Sequence, residues 1–486
     1  MAPNKHTPHV LIFPYPSQGP LNCMMRLAEL LAISGLHVTL LNTNDTHLRL
    51  CLSSASLPAI PLLRFKSIPD GLPEDRPRDA SLLRDVAESL NKNSRLLLYD
   101  LLLAMKNDEY SSDGFPPITC LISDGFFPSF VDLAEDIRLP CLSFRTPSAC
   151  SMWAYLCIPK LLENGELPFG EGVDLDEVVQ GVPGMEGFLR RRDLPEFFRG
   201  AKSADDPQLK FMSTVSAYSS KAKGLILNTA EVLESTSVHH IRAQIPVTYA
   251  LGPLHAILDS YRSARSCTDA SSHTSSLWQE DTECLKWLDL QTDNSVVYVS
   301  FGSFTTLTQE EFHELFFGLI NSGHKILWVL RPDMVQGLAW TDEIKRALPE
   351  EQGRIISWTP QQKVLAHRAV GCFVTHSGWN STLESIVEGV PMLCWPFFLD
   401  QQINSRFVSE IWRVGLDMKD IRNRDLVEKM VREMMEGESA ARFRKSARDL
   451  ADAVKESISD GGSSFREFHR LIEDIKSMSI GQQCDS

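Results

Sequence analysis

The chain has 486 residues, of which 43% are hydrophobic, and this is enough for two domains of about 100 to 250 residues with separate cores. Its 63 acidic residues outnumber the 48 basic ones, and the formal net charge of −15 argues against a surface that binds nucleic acid. The eleven cysteines are odd in number and scattered without metal-ligand spacing, which indicates reduced thiols in a cytoplasmic protein and no metal site.

Neither a targeting segment nor a membrane span is indicated by the sequence. The start of the chain, MAPNKHTPHVLIF, lacks the long apolar core of a signal peptide. No apolar run approaches the ~20 residues that a membrane helix needs. We therefore expect an intracellular protein without a membrane span. Nothing in the sequence requires a protein partner, so a monomer is favoured.

In the first half of the chain, short apolar segments alternate with helical stretches. The first segment is followed by the loop SQGPLN and by a helix that begins at Cys23, with Met24 and Leu27 on its apolar face. Such alternation predicts a parallel sheet covered by helices on both faces. The predicted strands of this half are residues 9–16, 37–43, 118–124, 139–146 and 224–229.

A boundary between two α/β halves is predicted after residue 252. Residues 259–276 are polar, Ser-rich and without periodicity, which is typical of an exposed linker. We predict an N-terminal domain at residues 1–252, a variable linker at 253–278 and a C-terminal domain at 279–455. No G-x-G-x-x-G fingerprint occurs, which argues against a dehydrogenase. The second half has predicted strands at residues 295–303, 324–333, 353–358, 371–376 and 391–396.

Three consecutive arginines, Arg190, Arg191 and Arg192, form a short basic run. Because the run precedes the sequence Asp-Leu-Pro, we predict a solvated loop. A contact with an acidic acceptor molecule is the alternative.

The stretch after residue 370 has the pattern of a buried strand that leads into a helix. Residues 370–375 are apolar and rich in β-branched side chains, and HSGWNSTLESIVEG then changes to a helical period. Free backbone N–H groups and the positive end of the helix dipole favour an anion such as a diphosphate at this point. His376, Asn380 and Ser381 add hydrogen-bond donors. The alternative is that Ser381 and Glu384 form only a capping box.

Residues 358–401 resemble the signature box of the plant UDP-dependent secondary-product glycosyltransferases, the family 1 enzymes that transfer a sugar from UDP to small molecules. The resemblance extends from about His9 to about Ile475. It implies an α/β protein with two facing Rossmann-like domains, the GT-B fold, and a cleft between them. It also implies that a C-terminal helix, residues 456–486, packs back on the N-terminal domain.

The resemblance also implies individual roles in donor binding. Trp358 matches the indole that stacks on uracil, Gln361 the partner of the ribose or base edge, and Glu384 the carboxylate that accepts from the ribose hydroxyls. A terminal Gln in this box, here Gln401, usually accompanies glucose. UDP-glucose is therefore expected as co-substrate, with no metal or other cofactor. The diphosphate contacts are matched by His376, Ser381 and Ser303, the sugar contacts by Trp379, Asp400, Gln401 and Thr146, and further positions of the donor site by Thr359, Gly378 and Asn380.

Three further segments resemble plant glucosyltransferases that act on iridoids and related terpenoids, including the 7-deoxyloganetic acid type. These segments are residues 143–168, 183–199 and 276–291. The acceptor is accordingly expected to be a small plant metabolite, namely a terpenoid or iridoid, a phenol or a carboxylic acid.

The N-terminal loop departs from the family pattern at the catalytic position. The family loop reads QGHxNP, and its histidine takes the proton of the acceptor; in this chain Pro20 stands at that position, while Asn22 is retained. Proline suits the first turn of a helix, but its ring cannot accept a proton. Asp124 matches the carboxylate that steadies the histidine, and a role in a strand-end turn or helix cap is the alternative. No nearby histidine is an obvious substitute.

Four explanations of Pro20 are open. Asp124 acts alone, directly or through a water, on an acceptor whose hydroxyl is fairly acidic. The acceptor arrives ionised, as a carboxylate does at neutral pH, and a sugar ester forms without a base. The protein has become a donor-binding pseudoenzyme or a repurposed scaffold. A single-base sequence error has replaced a His codon by a Pro codon. Retention of the whole donor box favours an inverting glucosyltransferase over a pseudoenzyme.

Overall fold

The protein folds into two compact units. The computed structural model describes residues 8–53, 60–73, 76, 78, 83–92, 95–107, 114–264, 276–337, 348–349 and 351–484. The first unit comprises Met1–Leu156, Lys210–Leu277 and Ser457–Ser486, and the second comprises Cys157–Leu209 and Trp278–Glu456.

This division differs from the predicted domain boundaries in one segment. Residues 157–209, predicted as part of the N-terminal domain, belong to the second unit. The predicted linker also begins differently, because Leu254–Ala264 is a helix with a buried apolar first turn. Residues 265–275 of that linker lie outside the described residues.

A seven-stranded parallel sheet forms the core of the first unit. Its strands are β1 (His9–Phe13), β2 (His37–Thr43), β3 (Leu63–Ile68), β4 (Cys120–Asp124), β5 (Cys141–Arg145), β6 (Gly224–Leu227) and β7 (Thr248–Ala250). Their order is β3-β2-β1-β4-β5-β6-β7. Because β4 and β5 are parallel neighbours, their last residues, Asp124 and Arg145, lie at the same edge of the sheet.

The helices of the first unit include the C-terminal one, Ser463–Cys484. Its Asp474 accepts a hydrogen bond from the Tyr249 hydroxyl at 2.7 Å, and its Arg470 donates to the backbone oxygen of Thr248 at 2.7 Å. The other helices are Gln18–Ile33, Asn44–Ser53, Leu83–Lys92, Arg95–Lys106, Pro128–Asp136, Ala149–Leu156, Pro207–Tyr218, Glu231–Gln244 and Leu254–Ala264, of which Pro207–Tyr218 begins in the second unit.

A six-stranded parallel sheet forms the core of the second unit. Its strands are β8 (Val296–Ser300), β9 (Lys325–Val329), β10 (Gly353–Ile356), β11 (Val370–Thr375), β12 (Met392–Cys394) and β13 (Gly415–Asp417), in the order β10-β9-β8-β11-β12-β13. The described helices are Ile158–Glu163, Glu196–Arg199, Glu283–Asp289, Gln309–Asn321, Gln361–Leu365, Trp379–Glu388, Gln401–Arg406, Arg424–Met435 and Gly437–Ile458, of which the last ends in the first unit; a 3₁₀ turn lies at Arg191–Asp193 and a π turn at Phe407–Ile411. Each unit is thus a Rossmann-like α/β body, and the predicted fold class is confirmed.

The predicted strands are all present, and the structure adds β3, β7 and β13. The prediction of SQGPLN as a loop was wrong for all but its first residue, because the first helix already begins at Gln18. In the described part of the chain, no helix is long and apolar enough to cross a membrane.

Candidate active site

The turn between β11 and the next helix is built around a strained residue. Ser377 has a φ of 64°, in the left-handed region, which costs a non-glycine residue about 1 to 3 kcal/mol. Its N–H donates to the Thr375 hydroxyl at 3.2 Å, and its backbone oxygen accepts from the Asn404 amide at 2.9 Å. Gly378 then caps the helix Trp379–Glu388. These contacts fix the direction in which the first backbone N–H groups of the helix point.

The imidazole of His376 lies between two glycines. A Cβ atom at Gly302 would come within 2.7 Å of the imidazole, and one at Gly378 would come closer still, so any side chain at either position would displace the ring. Burial, with the nearby charge of Arg331, lowers the pKa of His376 to about 4. The ring is therefore neutral at pH 7, and it offers a hydrogen bond rather than a charge.

Arg331, which sequence reasoning did not select, holds the loop that contains Ser303. Its guanidinium is buried and donates to the backbone oxygens of Gly302 and of Thr305, the latter at 3.0 Å. Ser303 lies between these two anchor points and is half-buried. The guanidinium also pairs with the Asp333 carboxylate at 3.0 Å, so its charge is already balanced and its role is to hold the loop.

The residues predicted to bind the nucleoside are joined by hydrogen bonds. The Gln361 amide nitrogen donates to the Ser381 hydroxyl at 3.0 Å and to the Glu384 carboxylate at 2.8 Å. The Tyr298 hydroxyl contacts Thr359 at 2.7 Å and donates to the Gln361 oxygen at 3.2 Å. Ser381 and Glu384 do not form the alternative capping box, because Gly378 is the N-cap of this helix.

Trp358 is half-buried and stacks on Trp278, with ring centroids 5.7 Å apart and an angle of 22° between the ring planes. Trp278 therefore fixes the orientation of the indole. Sequence reasoning placed Trp278 in a family segment without giving it a role. No local signal would have revealed it, since the two tryptophans are far apart in the chain.

Two of the residues predicted to bind the sugar, Asp400 and Gln401, lie at the start of a short helix, Gln401–Arg406. The Gln401 side-chain oxygen accepts from the backbone N–H groups of Phe397 at 2.8 Å and Phe398 at 3.1 Å. Gln401 can therefore bind a ligand only through its amide N–H groups. Asp400 accepts from Asn404 at 2.9 Å. Trp379 is buried beside Trp412, and Asn380 is half-buried next to it.

In the first unit, Pro20 is the third residue of the helix Gln18–Ile33 and is half-buried. Two hydrogen bonds hold this turn, and neither involves a group that could act as a catalytic base. The Gln18 amide donates to Asn22 at 2.6 Å, and the Cys23 thiol donates to the backbone oxygen of Pro20 at 3.3 Å. Proline is accepted here because a first-turn N–H has no partner within the helix.

Asp124 is buried at the end of β4 and lies close to this turn. One carboxylate oxygen accepts from the Phe126 N–H at 2.9 Å, while the other makes no hydrogen bond within the described residues. Burial raises the pKa of Asp124 to about 6, although the Phe126 amide, Arg145 and the Tyr15 amide each lower it. Burial raises the pKa of the Cys23 thiol, and the Asp124 carboxylate raises it further. Asp124 therefore lies near the turn that contains Pro20. Asp124 thus serves a strand-end turn with one oxygen, while the other is buried without a hydrogen bond among the described residues.

Comparison with known proteins decides the family. The family model described as "UDP-glucoronosyl and UDP-glucosyl transferase" matches residues 209–451. A 7-deoxyloganetic acid glucosyltransferase of Catharanthus roseus is 44% identical, with 97% of this chain and 98% of that protein covered. The chain belongs to the UDP-glycosyltransferase family. A myricetin 3-O-rhamnoside 1,2-glucosyltransferase of Crocosmia x crocosmiiflora is 43% identical, with 99% of this chain and 98% of that protein covered.

Among solved structures, Os79 from O. sativa in complex with UDP is similar, with a TM-score of 0.79, 26% identity, and coverage of 96% of this chain and 100% of that one. The resemblance to plant glycosyltransferases is thereby confirmed, and this UDP-glycosyltransferase is an enzyme of the GT-B fold. No group of three or more metal-ligating side chains occurs among the residues described; the prediction that no metal is needed stays a prediction.

Arg145 is a second residue of the glycosyltransferase that sequence reasoning did not select. It is fully buried at the end of β5, and its guanidinium lies 4.9 Å from the centre of the Phe126 ring. Its three side-chain nitrogens make no hydrogen bond within the described part of the chain. A Cβ atom at Gly125 would overlap the Arg145 side chain, so the glycine makes room for the guanidinium near Asp124. Thr146 follows directly and is half-buried.

The arginine run of the glycosyltransferase is paired with carboxylates, so the prediction of a solvated loop was wrong. Each of the three side chains is less than a quarter exposed. The carboxylate partners are Asp176 and Asp193 for Arg190, Glu166 and Glu177 for Arg191, and Asp176 and Asp420 for Arg192. The acidic residues that surround the run satisfy it within the second unit.

Proposed function

We propose that the protein transfers glucose from UDP-glucose, with inversion, to a small plant secondary metabolite. The observation that carries this proposal is the hydrogen-bonded set Gln361, Ser381 and Glu384 beside the oriented indole of Trp358. An aromatic face and a buried carboxylate suit a uracil ring and ribose hydroxyls. Two similar proteins, named as glucosyltransferases, support the same donor.

In this proposal, the diphosphate binds at the N-terminus of the helix Trp379–Glu388. The backbone N–H groups, the neutral His376 and the Ser381 hydroxyl donate to it, and the Ser303 loop anchored by Arg331 lies on the phosphate side. The sugar hydroxyls bind Trp379, Asp400 and the amide of Gln401. No cationic residue of the signature box, residues 358–401, suits a glucuronate carboxylate, so we expect UDP-glucose to be preferred over UDP-glucuronate. Because of Gln401, we also expect UDP-glucose to be preferred over UDP-galactose.

The reaction forms a bond between the acceptor oxygen and the anomeric carbon. The bond from that carbon to the UDP oxygen breaks, and its electron pair leaves with UDP. A neutral hydroxyl must also lose its proton, and a base must come within about 2.6 to 3.2 Å of it. Pro20 cannot serve as this base, and Asp124 is only 1% exposed.

We infer that the preferred acceptor oxygen is ionised or strongly acidic before transfer. A carboxylate has a pKa of about 4 and carries no proton at neutral pH, so its attack needs no base. Iridoid or terpenoid acids, acidic phenols and simple carboxylic acids form this class. Asp124, through its second carboxylate oxygen, is the remaining base for acceptors of intermediate acidity.

The direct test is incubation with UDP-glucose and a panel of carboxylic acids, phenols, hemiacetals and alcohols, followed by mass spectrometry. We expect glucosides of the acidic acceptors first, with the β configuration by NMR, because an inverting enzyme converts the α donor. Mild alkaline hydrolysis cleaves a glucose ester but not an O-glucoside, which is an acetal, and so distinguishes the two products. Efficient transfer to neutral alcohols alone would contradict the acceptor assignment.

A second candidate function, favoured by Pro20, is donor binding without transfer. Such a protein would bind UDP with the same side chains but convert no acceptor in the panel. UDP binding together with no product on any acceptor would make this candidate the better one.

A further inference from the structure

A fully buried carboxylate in the second unit, Asp193, is surrounded by cations. It accepts from the Arg190 guanidinium at 3.1 Å and from the Lys419 ammonium at 2.9 Å, and the Arg406 guanidinium lies at 3.3 Å. Burial alone would raise the pKa of Asp193, but Lys419 and Arg190 lower it further than burial raises it. The carboxylate is therefore charged. A buried charge is retained only where its partners are well placed, so the positions of these cations are narrowly defined.

The same cations hold the helix that begins with Gln401. The Lys419 ammonium donates to the backbone oxygen of Gln402 at 2.8 Å, and Arg406 donates to the backbone oxygen of Phe188 at 2.9 Å. Both ends of this short helix are thus connected to the segment that contains Asp193.

The loop before this helix has its own contact with the segment. The N–H of Leu399 donates to the Glu196 carboxylate at 3.1 Å. Leu399 has a φ of 55°, in the left-handed region that a leucine adopts only when its surroundings require it. Glu196 therefore stabilises the residue directly before Asp400.

We propose that Asp193 and Glu196 are positioning residues for the donor sugar, holding Asp400 and Gln401 in place from the segment of residues 188–196. This rests on the proposed binding of UDP-glucose. The hydrogen bonds of the nucleoside side join Tyr298, Gln361 and Glu384 instead. Recognition of the sugar is therefore separable from recognition of UDP.

The test compares binding of UDP and of UDP-glucose by calorimetry. Asp193→Asn keeps the shape of the side chain but removes the charge, and we expect the Kd for UDP-glucose to rise about tenfold while that for UDP changes less than about twofold. Glu196→Ala, the milder variant, should raise the Kd for UDP-glucose about threefold. Glu196→Gln retains an acceptor for the Leu399 N–H and should restore wild-type binding. Preference for UDP-glucose over UDP-galactose should fall in the first two variants.

Glu177→Gln is the matched control, because the Glu177 side chain pairs with Arg191 of the same segment and is 60% exposed. It should bind both ligands as the wild type does. Equal weakening of UDP and UDP-glucose in Glu196→Ala, or no change in either, would overturn the positioning role even if Asp193→Asn does not fold. A wild type that binds UDP-glucose but transfers nothing would contradict the proposed function and leave this measurement intact.

Discussion

The two units differ in how the polar side chains at the ends of their strands are hydrogen-bonded. In the second unit, Gln361 connects the Ser381 hydroxyl to the Glu384 carboxylate, so these groups are oriented before any ligand arrives. In the first unit, one oxygen of Asp124 and the guanidinium nitrogens of Arg145 make no hydrogen bond in the part of the chain that the structure describes. The Nδ1 atom of His376 in the second unit likewise makes no hydrogen bond among the described residues, so the preorganised part of the proposed donor site is the set Gln361, Ser381 and Glu384. Removing a member of that site should cost binding. In the proposed function the first unit binds the acceptor and has Pro20 in place of a base, so adding a base there should raise activity.

The largest effect is expected from removing members of the donor side. Trp358→Ala removes the indole face, and Glu384→Ala removes the acceptor of the Gln361 amide. Each should weaken UDP binding about 100-fold, since a central aromatic or charged anchor contributes about 3 kcal/mol. Calorimetry gives the Kd, and the rise of Tm with UDP should disappear. Glu388→Gln, on the same helix, should bind normally; wild-type affinity in both alanine variants would refute the donor assignment.

On the acceptor side, the corresponding change is Pro20→His. An imidazole in the first helical turn, near Asp124, should raise kcat/KM for a neutral alcohol about tenfold or more, as a general base does. Transfer to a carboxylate should barely change, because that oxygen has no proton to lose. Pro20→Ala, which removes the ring without supplying a base, is the control. If neither acceptor gains while UDP still binds, the acceptor side differs from the family by more than this residue.

The pH dependence tests whether Asp124 acts as the remaining base. Its pKa is raised to about 6, so the carboxylate is ionised above that pH and protonated below it. A base works only when ionised, so kcat/KM for a neutral acceptor should fall about tenfold per pH unit below the pKa. A carboxylate acceptor should show no such fall until about pH 4, its own pKa. Asp124→Asn should abolish the pH dependence for the neutral acceptor; a wild-type profile in this variant would exclude Asp124 as the base.

The smallest effect is expected at the sugar. Gln401→Glu keeps an oxygen for the N–H groups of Phe397 and Phe398 but loses the amide donor. We expect kcat/KM for UDP-glucose to fall about fivefold, as for one lost hydrogen bond, with UDP affinity unchanged. Gln401→Ala also releases the loop and should cost more. Equal activities of the glutamate and wild-type forms would mean that the amide does not contact the sugar.

The sequence predicted the inner strands because burial on both faces leaves continuous apolar runs, as in β8 and β11. The three strands that it missed, β3, β7 and β13, all lie at sheet edges. In β3, Arg64 and Lys66 interrupt the apolar pattern and are only half-buried. β7 and β13 have three residues each.

The roles of the proposed donor residues stay predictions, but their positions were predictable where strand, turn and helix follow one another in the chain. Their supports were not, because Trp278, Arg331 and Asn404 reach them through tertiary contacts from distant elements. The Asn404 amide, for example, contacts Ser377 across 27 positions of sequence. Arg145 gave no signal either, since a guanidinium at the end of an apolar strand is not expected to be fully buried.

The discontinuous course of the chain has a consequence for recombination between relatives. A chimaera that exchanges simple N- and C-terminal halves would separate Asp193 from Lys419 and Tyr249 from Asp474, because the partners of each pair are supplied by opposite ends of the sequence. Exchanges that respect the units must instead carry residues 157–209 together with 278–456, and the last thirty residues with the first unit. A single crossover therefore cannot transfer a complete unit from one relative to another, nor the acceptor or donor preference that depends on that unit.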